Sequence, residues 1–216
     1  MTSHVDIDAI TLAKGSHTAR SKQGCLMEWV SKFAHERWSD TPKCVSPAIG
    51  AFGRSWNDAL SDTDRQLLKR FIPLVVGTHT TAADEVRRAW LATDWLVRTF
   101  APAWLDKAGL EEAAARLRAI EELTSDDVAA AALPVIEEVR KQSSAARSAA
   151  WSAAESAAWS AAESAARSAA RSAARSAARS AADEALAPTV KELQVSAEDL
   201  LERMIAVGKT DKAVAA

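Results

Sequence analysis

Six side chains able to do chemistry lie between residues 17 and 44: His17, Cys25, Glu28, His35, Asp40 and Cys44. Cys25 follows Gly24 at the start of an expected helix, where the helix dipole favours a thiolate. A Cys so placed, with His17 and Asp40 elsewhere in the chain, has the general layout of a thiol nucleophile. His17, Cys25, Asp40 and Cys44 are also a Cys/His/Asp set of the kind that binds zinc. The structural reading competes with both, since two Cys in a Trp-rich helical domain serve well as small core residues. The sequence has no CxxC, HExxH or GxSxG, no phosphate-binding loop and no dinucleotide fingerprint, so nucleotide binding has no support. No cofactor is expected, and zinc is the one candidate.

A second constellation is charge on a repeat. Ten tetrads of the form Ser-Ala-Ala-x run from Ser144 to Asp183 without Gly or Pro, and Ala, Arg and Glu all favour helix. Arg167, Arg171, Arg175 and Arg179 occupy successive x positions. Each is an i,i+4 neighbour of like sign, a contact that costs roughly 0.2–0.5 kcal/mol and that a bound anion relieves. Nucleic-acid phosphate and an acidic protein surface are the candidate anions; a solvated spacer is the bland alternative. A four-residue period advances each stripe about 40° per tetrad on a 3.6-residue helix, so a straight partner cannot follow it far. An extended coiled coil is therefore not expected. Trp151 and Trp159 share one broad side of this helix and are expected to pack on something.

Local signals supply the elements that would hold these groups. The first convincing helix falls at about 25–37, through Leu26, Trp29, Val30 and Phe33. Ser46-Pro47 is a strong helix start, followed by Ile49, Phe52, Trp56 and Leu60 at helical spacing. Ser61 with Asp64, and Thr81 with Asp84, open two more helices. The second of these runs to about residue 100, with Val86, Trp90, Val97 and Phe100 on its expected buried side. LVVGTHT at 74–80 is β-branched, but a lone strand has no partner, so it reads as a buried helix end and turn. Shorter helices follow around Trp104, over 110–121 and after Ser125, the last interrupted at Pro134. The repeat helix over 135–187 would be about 80 Å long at roughly 1.5 Å per residue, with Pro188 stopping it. Leu193, Leu200, Met204 and Ile205 then form the apolar face of a terminal helix that needs a partner surface. Residues 1–24 read as irregular.

The expected fold is all-α: an irregular N-terminal bundle (1–134), a long Ala/Ser-rich helix (135–187) and an amphipathic C-terminal helix (188–216). Six of the eight Trp and all four Phe precede residue 135, enough for one core. The net charge of −2 provides no global field toward nucleic acid or anionic membranes. No run of about 20 apolar residues is present, and MTSHVDIDAI does not read as a signal peptide. A cytoplasmic protein with no membrane partner is expected, and its two Cys are expected to be thiols.

The stretches GSH (15–17), GCLMEWV (24–30), WSDTPKCVSPAIGAFGRSWND (38–58), RRAWLATDWLVRTFAPAWL (87–105) and the closing LAPTVKELQVSAEDLLERMI resemble a family of uncharacterised proteins from actinobacteria, other high-GC bacteria and their phages. The resemblance spans nearly the whole chain and implies no activity. The motif positions it matches are His17, Cys25, Glu28, Asp40, Cys44, Trp56, Asn57 and Asp58. Similar sequences carry tetrad tracts of varying length, which implies a spacer. They often have Gly-Glu-Pro where this chain has His35-Glu36-Arg37, which argues against a role for His35.

Three functional expectations follow. The leading one is a non-enzymatic scaffold or interaction protein that associates with itself or another protein through the long and terminal helices. The alternatives are a small metal-binding or thiol-dependent enzyme at His17/Cys25/Asp40/Cys44, and nucleic-acid binding by the Arg167–Arg179 face. The terminal helix is expected to be covered by a second chain.

Overall fold

The computed structural model describes the backbone of residues 5–164 and 168–209, and the side chains of residues 5–145 and 184–209. The class is all-α. A two-residue parallel pair, β1 (Thr11–Leu12) and β2 (Gln23–Gly24), with Thr11 opposite Gln23, is the one sheet among the described residues. The helices are α1 (Leu26–Phe33), α2 (Pro47–Ala59), α3 (Asp62–Arg65), α4 (Ala82–Trp95), α5 (Ala101–Lys107), α6 (Glu111–Arg118), α7 (Asp126–Ser164) and α8 (Ser168–Ala206). A 3₁₀ segment, Gln66–Phe71, follows α3, and a π segment, Leu96–Phe100, joins α4 to α5.

Residue contacts divide the chain into two units: residues 1–92 with 199–216, and residues 93–198. Both expected boundaries, at residues 134 and 188, fall inside helices. Pro134 lies within α7 and Pro188 within α8. A helical Pro frees the carbonyl four residues earlier. That carbonyl belongs to Ala130 in one case and Glu184 in the other, both exposed residues, so losing the bond does not orphan a buried group and the helix continues. The tract expected as a single helix over 135–187 is carried by α7 and α8; residues 165–167 lie outside the described residues.

In the first unit, α1 packs on α2 closely enough that a Cβ on Gly53 would come within 2.9 Å of Met27 Cε. Leu26, Met27, Val30, Ile49, Phe71 and Ile72 form its centre. Helix starts follow the sequence. Ser46 Oγ accepts Ile49 N at 3.3 Å, Ser61 Oγ accepts Asp64 N at 3.1 Å, and Thr81 and Asp84 cap one another reciprocally. Segment 74–80 forms no strand: residues 74–77 are turn, and Val75 and Thr78 are buried as expected of a buried helix end, whereas Leu74 and His79 are exposed.

Two helices differ from expectation. α1 stops at Phe33 rather than 37, because His35 adopts φ +58°. His35 N donates to Lys32 O (3.2 Å) and Glu36 N to Ser31 O (2.8 Å), the paired bonds of a Schellman ending. α4 buries Asp84 and Arg88 instead of Val86, which is 57% exposed.

Arg88 explains that rotation. It is fully buried, and its guanidinium bonds Glu85 Oε1 (2.6 Å), Thr80 Oγ1 (3.2 Å), Met204 O (3.0 Å) and Val207 O (2.8 Å). It therefore caps the carboxyl end of α8, where cations are favoured. Leu200, Leu201, Met204 and Ile205 are buried in this same unit. The expectation that a second chain covers the terminal helix is thus corrected: Leu200, Met204 and Ile205 are buried within the chain's own first unit, and Leu193 within the second. Gly208, at φ +77°, ends the helix so close to Asp84 that a Cβ there would lie 2.8 Å from Oδ2.

In the second unit α5 packs on α6 and the π segment, and α6 on α7. Leu105, Ala114, Leu117, Ile120 and Leu123 are buried. Asp94 Oδ1 accepts Leu123 N (2.9 Å) and an Arg98 N–H (3.1 Å). Trp95 Nε1 donates to Ser196 Oγ (2.9 Å) on α8, near buried Leu193 and Ala197. Early α7, with Ala132 and Val139 buried, and late α8 therefore belong to the same body, and the tetrads lie between these two anchored stretches.

Candidate functional site

The residues flagged by sequence for chemistry do converge in part, and the point of convergence is Glu28. This carboxylate, 2% exposed, sits at the third position of α1. It accepts Cys25 N (2.7 Å), His17 N (2.6 Å) and the ring Nδ1 of His17 (3.1 Å). Two of these bonds close the arm at 13–24 onto the start of α1. Trp38 Nε1 donates to His17 O (2.8 Å) and Trp29 Nε1 to Thr11 O (3.2 Å). The two indoles meet edge to face with centroids 5.3 Å apart, and Gly24 fits against them where a Cβ would clash at 2.8 Å.

Asn57, buried in α2, completes the hold. Its Oδ1 accepts Leu26 N (3.2 Å), and its Nδ2 donates to Ala13 O (3.0 Å) and Asp58 Oδ1 (2.9 Å). Asp58 Oδ1 also accepts Gly15 N (2.9 Å). Burial works against ionisation of Asp58, but the Gly15 N–H, the Asn57 amide, and the charges of Lys14 and Arg65 outweigh it and hold the carboxyl below its usual range. Gln66 bonds both polar groups of Leu12, at 3.0 and 2.8 Å. Segment 11–24 carries almost no regular structure, so its backbone groups need side-chain partners. The cluster of motif residues supplies them.

This geometry answers the nucleophile expectation for Cys25. Its thiol is at the N-cap of α1, as expected, yet burial pushes it up to about 12, with the Glu28 carboxylate adding to the rise. The thiolate predicted from the helix dipole is corrected: desolvation and a neighbouring negative charge exceed the dipole. Cys44 lies elsewhere. Burial and the Glu36 carboxylate push it up to about 11. Glu36 accepts Lys43 N (2.6 Å) and Cys44 N (2.8 Å). Burial opposes the ionisation of Glu36, but these N–H groups prevail and its carboxyl lies below the usual range. Asp40 contributes its carbonyl, which accepts Arg54 Nη1 at 2.9 Å.

His17 and Cys25 thus meet at Glu28, and Cys44 meets Glu36; the four candidates do not assemble into one set. Both Cys are free thiols. Among the described residues no group of three or more His, Cys, Asp or Glu is placed to hold a metal ion. His35 and His79 are exposed. Arg167 lies outside the described residues, as do the side chains of Arg171, Arg175, Arg179, Trp151 and Trp159. No helix among the described residues is long and apolar enough to cross a membrane.

Sequence reasoning missed the two buried arginines. Arg65 caps α2 through Asn57 O (2.7 Å) and Leu60 O (2.7 Å), as Arg88 caps α8. The available signal was the polar stripe Thr81, Asp84, Glu85 and Arg88 at helical spacing, which on an amphipathic reading passes for a solvent face. Asp84 turns inward there, and the Arg87 guanidinium, helped by the Thr80 and Thr81 hydroxyls, holds its carboxyl well below the usual carboxylate range.

No protein-family model, no curated protein and no solved structure matches this chain.

Proposed function

We propose that this protein is a non-enzymatic interaction or scaffold protein in which the tetrad tract is an arm that leaves the second unit along α7 and returns to it along α8. The observation that carries this reading is the anchoring of both ends. Ala132 and Val139 are buried on early α7, and Thr189, Leu193 and Ala197 on late α8, with all ten tetrads between them. A tract tethered at both ends keeps its base fixed while its length varies, in keeping with the varying tract lengths of the family this sequence resembles. The chemistry-bearing residues of the first unit support the same reading, because Glu28, Asn57 and Asp58 hold backbone and both thiols are pushed away from reactivity. Self-association or capture of another protein through the arm is the activity this assigns.

Small-angle scattering of the full chain tests the arm, compared with a variant lacking residues 156–171, four whole tetrads. An out-and-back arm loses about 8 residues from each limb, so the maximum dimension falls by about 12 Å at 1.5 Å per residue. The circular-dichroism melting transition of the globular part is unchanged. A full-length chain that is a compact monomer with no extended dimension overturns the proposal.

A further inference from the structure

The motif at 38–58 is only partly explained by the network around Glu28. Trp38, Asn57 and Asp58 belong to that network, whereas Thr41, Lys43, Gly50 and Arg54 do not. These four, with His79, line a single cavity of about 270 Å³ on the first unit. We propose that this cavity is a binding site for a small phosphate-bearing anion, held by Arg54, Lys43 and His79.

The walls are fixed before any ligand arrives. Glu36 clips the Lys43 and Cys44 amides. His79 N donates to Cys44 O (3.2 Å), and the His79 ring Nδ1 lies 2.9 Å from Lys43 O. A carbonyl only accepts, so Nδ1 carries the hydrogen, and Nε2 donates to an anion in the imidazolium form, where both ring nitrogens carry hydrogen. The Asp40 carbonyl orients the Arg54 guanidinium through Nη1. Gly50 leaves it room, since a Cβ there would sit 3.3 Å from Nη1.

The charge is one-sided. Lys43 and Arg54 supply the positive charge of the lining, with His79 beside them; the nearest carboxylate that feels Lys43, Glu36, is outside the lining and engaged with the Lys43 and Cys44 amides. The amino end of α2 is not the binding element. Glu85 Oε2 already accepts Ser46 Oγ (2.7 Å) and faces Ala48 N (3.4 Å). The anion must therefore be met by side chains. A guanidinium fork beside an ammonium suits a tetrahedral oxyanion carrying more than one charge, the guanidinium giving direction and the ammonium a point charge. The volume exceeds that of phosphate alone and leaves space for a small attached group.

Titration of the full chain with inorganic phosphate, followed through the His79 ring resonances by NMR at constant ionic strength, tests the site. A small phosphomonoester and acetate are run in parallel. Saturable phosphate shifts are expected, weakened about tenfold or more in Lys43→Gln and in Arg54→Gln, as loss of one charge-assisted bond implies. Lys43 is exposed, so its variant reports on binding even where Arg54→Gln disturbs the fold. Tighter binding of the phosphomonoester identifies an esterified ligand, and equal binding identifies free phosphate. Absence of saturable shifts, equal shifts from acetate, or full retention of binding in Lys43→Gln overturns the proposal.

Discussion

The two ends of the first unit are held in opposite ways. At the amino end an arm with almost no regular structure is pinned by Glu28, Trp29, Trp38, Asn57, Asp58 and Gln66, each closing one to three bonds. At the carboxyl end a regular helix buries Leu200, Leu201, Met204 and Ile205, and its last carbonyls are held by one side chain, Arg88, whose guanidinium makes four contacts. A segment without helical or strand ladders needs many partners for its many backbone groups. A helix satisfies its own backbone except for its last carbonyls, so a single cation at its end suffices. The arm should therefore fail gradually, and the latch in one step.

The sharpest way to break this contrast is Arg88→Ala. It leaves the buried Met204 carbonyl, the half-buried Val207 carbonyl and the Glu85 carboxylate without their cation. A loss of about 3–5 kcal/mol is expected in chemical denaturation, with the protection of 199–209 against amide exchange lost at once. A loss comparable to that of an arm variant would erase the distinction.

Asn57→Ala is expected to cost less, about 2–3 kcal/mol, because it orphans Leu26 N and Ala13 O and leaves the other arm bonds in place. Hydrogen exchange should show Gly15 and His17 amides loosening while the Arg88 latch stays protected. Simultaneous loosening of both ends would mean that the arm is not an independent layer.

The thiols give a chemical reading of the same contrast. The neutral Cys25 thiol, pushed from 9.0 to about 12, stabilises the fold fully below pH 9. That contribution is lost as pH rises toward about 12, because the unfolded chain ionises first. Alkylation of native protein at pH 8 should find Cys25 inert and half-buried Cys44, at about 11, reacting slowly before it. Rapid labelling of Cys25 would show that the arm opens readily.

His35→Gly is the smallest expected effect and the only favourable one. His35 is exposed at φ +58°, a conformation glycine adopts without the Cβ conflict. A gain of about 0.5–1 kcal/mol is expected in thermal or chemical unfolding.

Much of the fold was legible because helix starts are local. Ser46-Pro47, Ser61 with Asp64, and Thr81 with Asp84 each announce a start within four residues, and each is realised. Where tertiary context decides, local reading failed. Pro134 and Pro188 signal breaks, yet both lie inside helices, where the carbonyls they free belong to exposed residues. Val86 was placed inside because amphipathic patterns assume an apolar interior, whereas here the buried stripe is Asp84 and Arg88. Of the candidate site, the positions were visible as a dense motif at 15–58, but their work was not. Nothing in the spacing of His17, Cys25 and Glu28 distinguishes a carboxylate that activates a thiol from one that ties down two amides. Neither the spacing nor the pattern of Lys43 and Arg54 places them beside His79.

The Arg88 latch joins positions 116 apart in sequence, reaching from α4 to Met204. On the ribosome the first 92 residues emerge long before their partner strip at 199–209. Through all of that interval Arg88 lacks its Met204 and Val207 partners, and every tetrad added to the tract lengthens the wait. Residues 199–209 thus close a unit whose other part is made more than a hundred residues earlier.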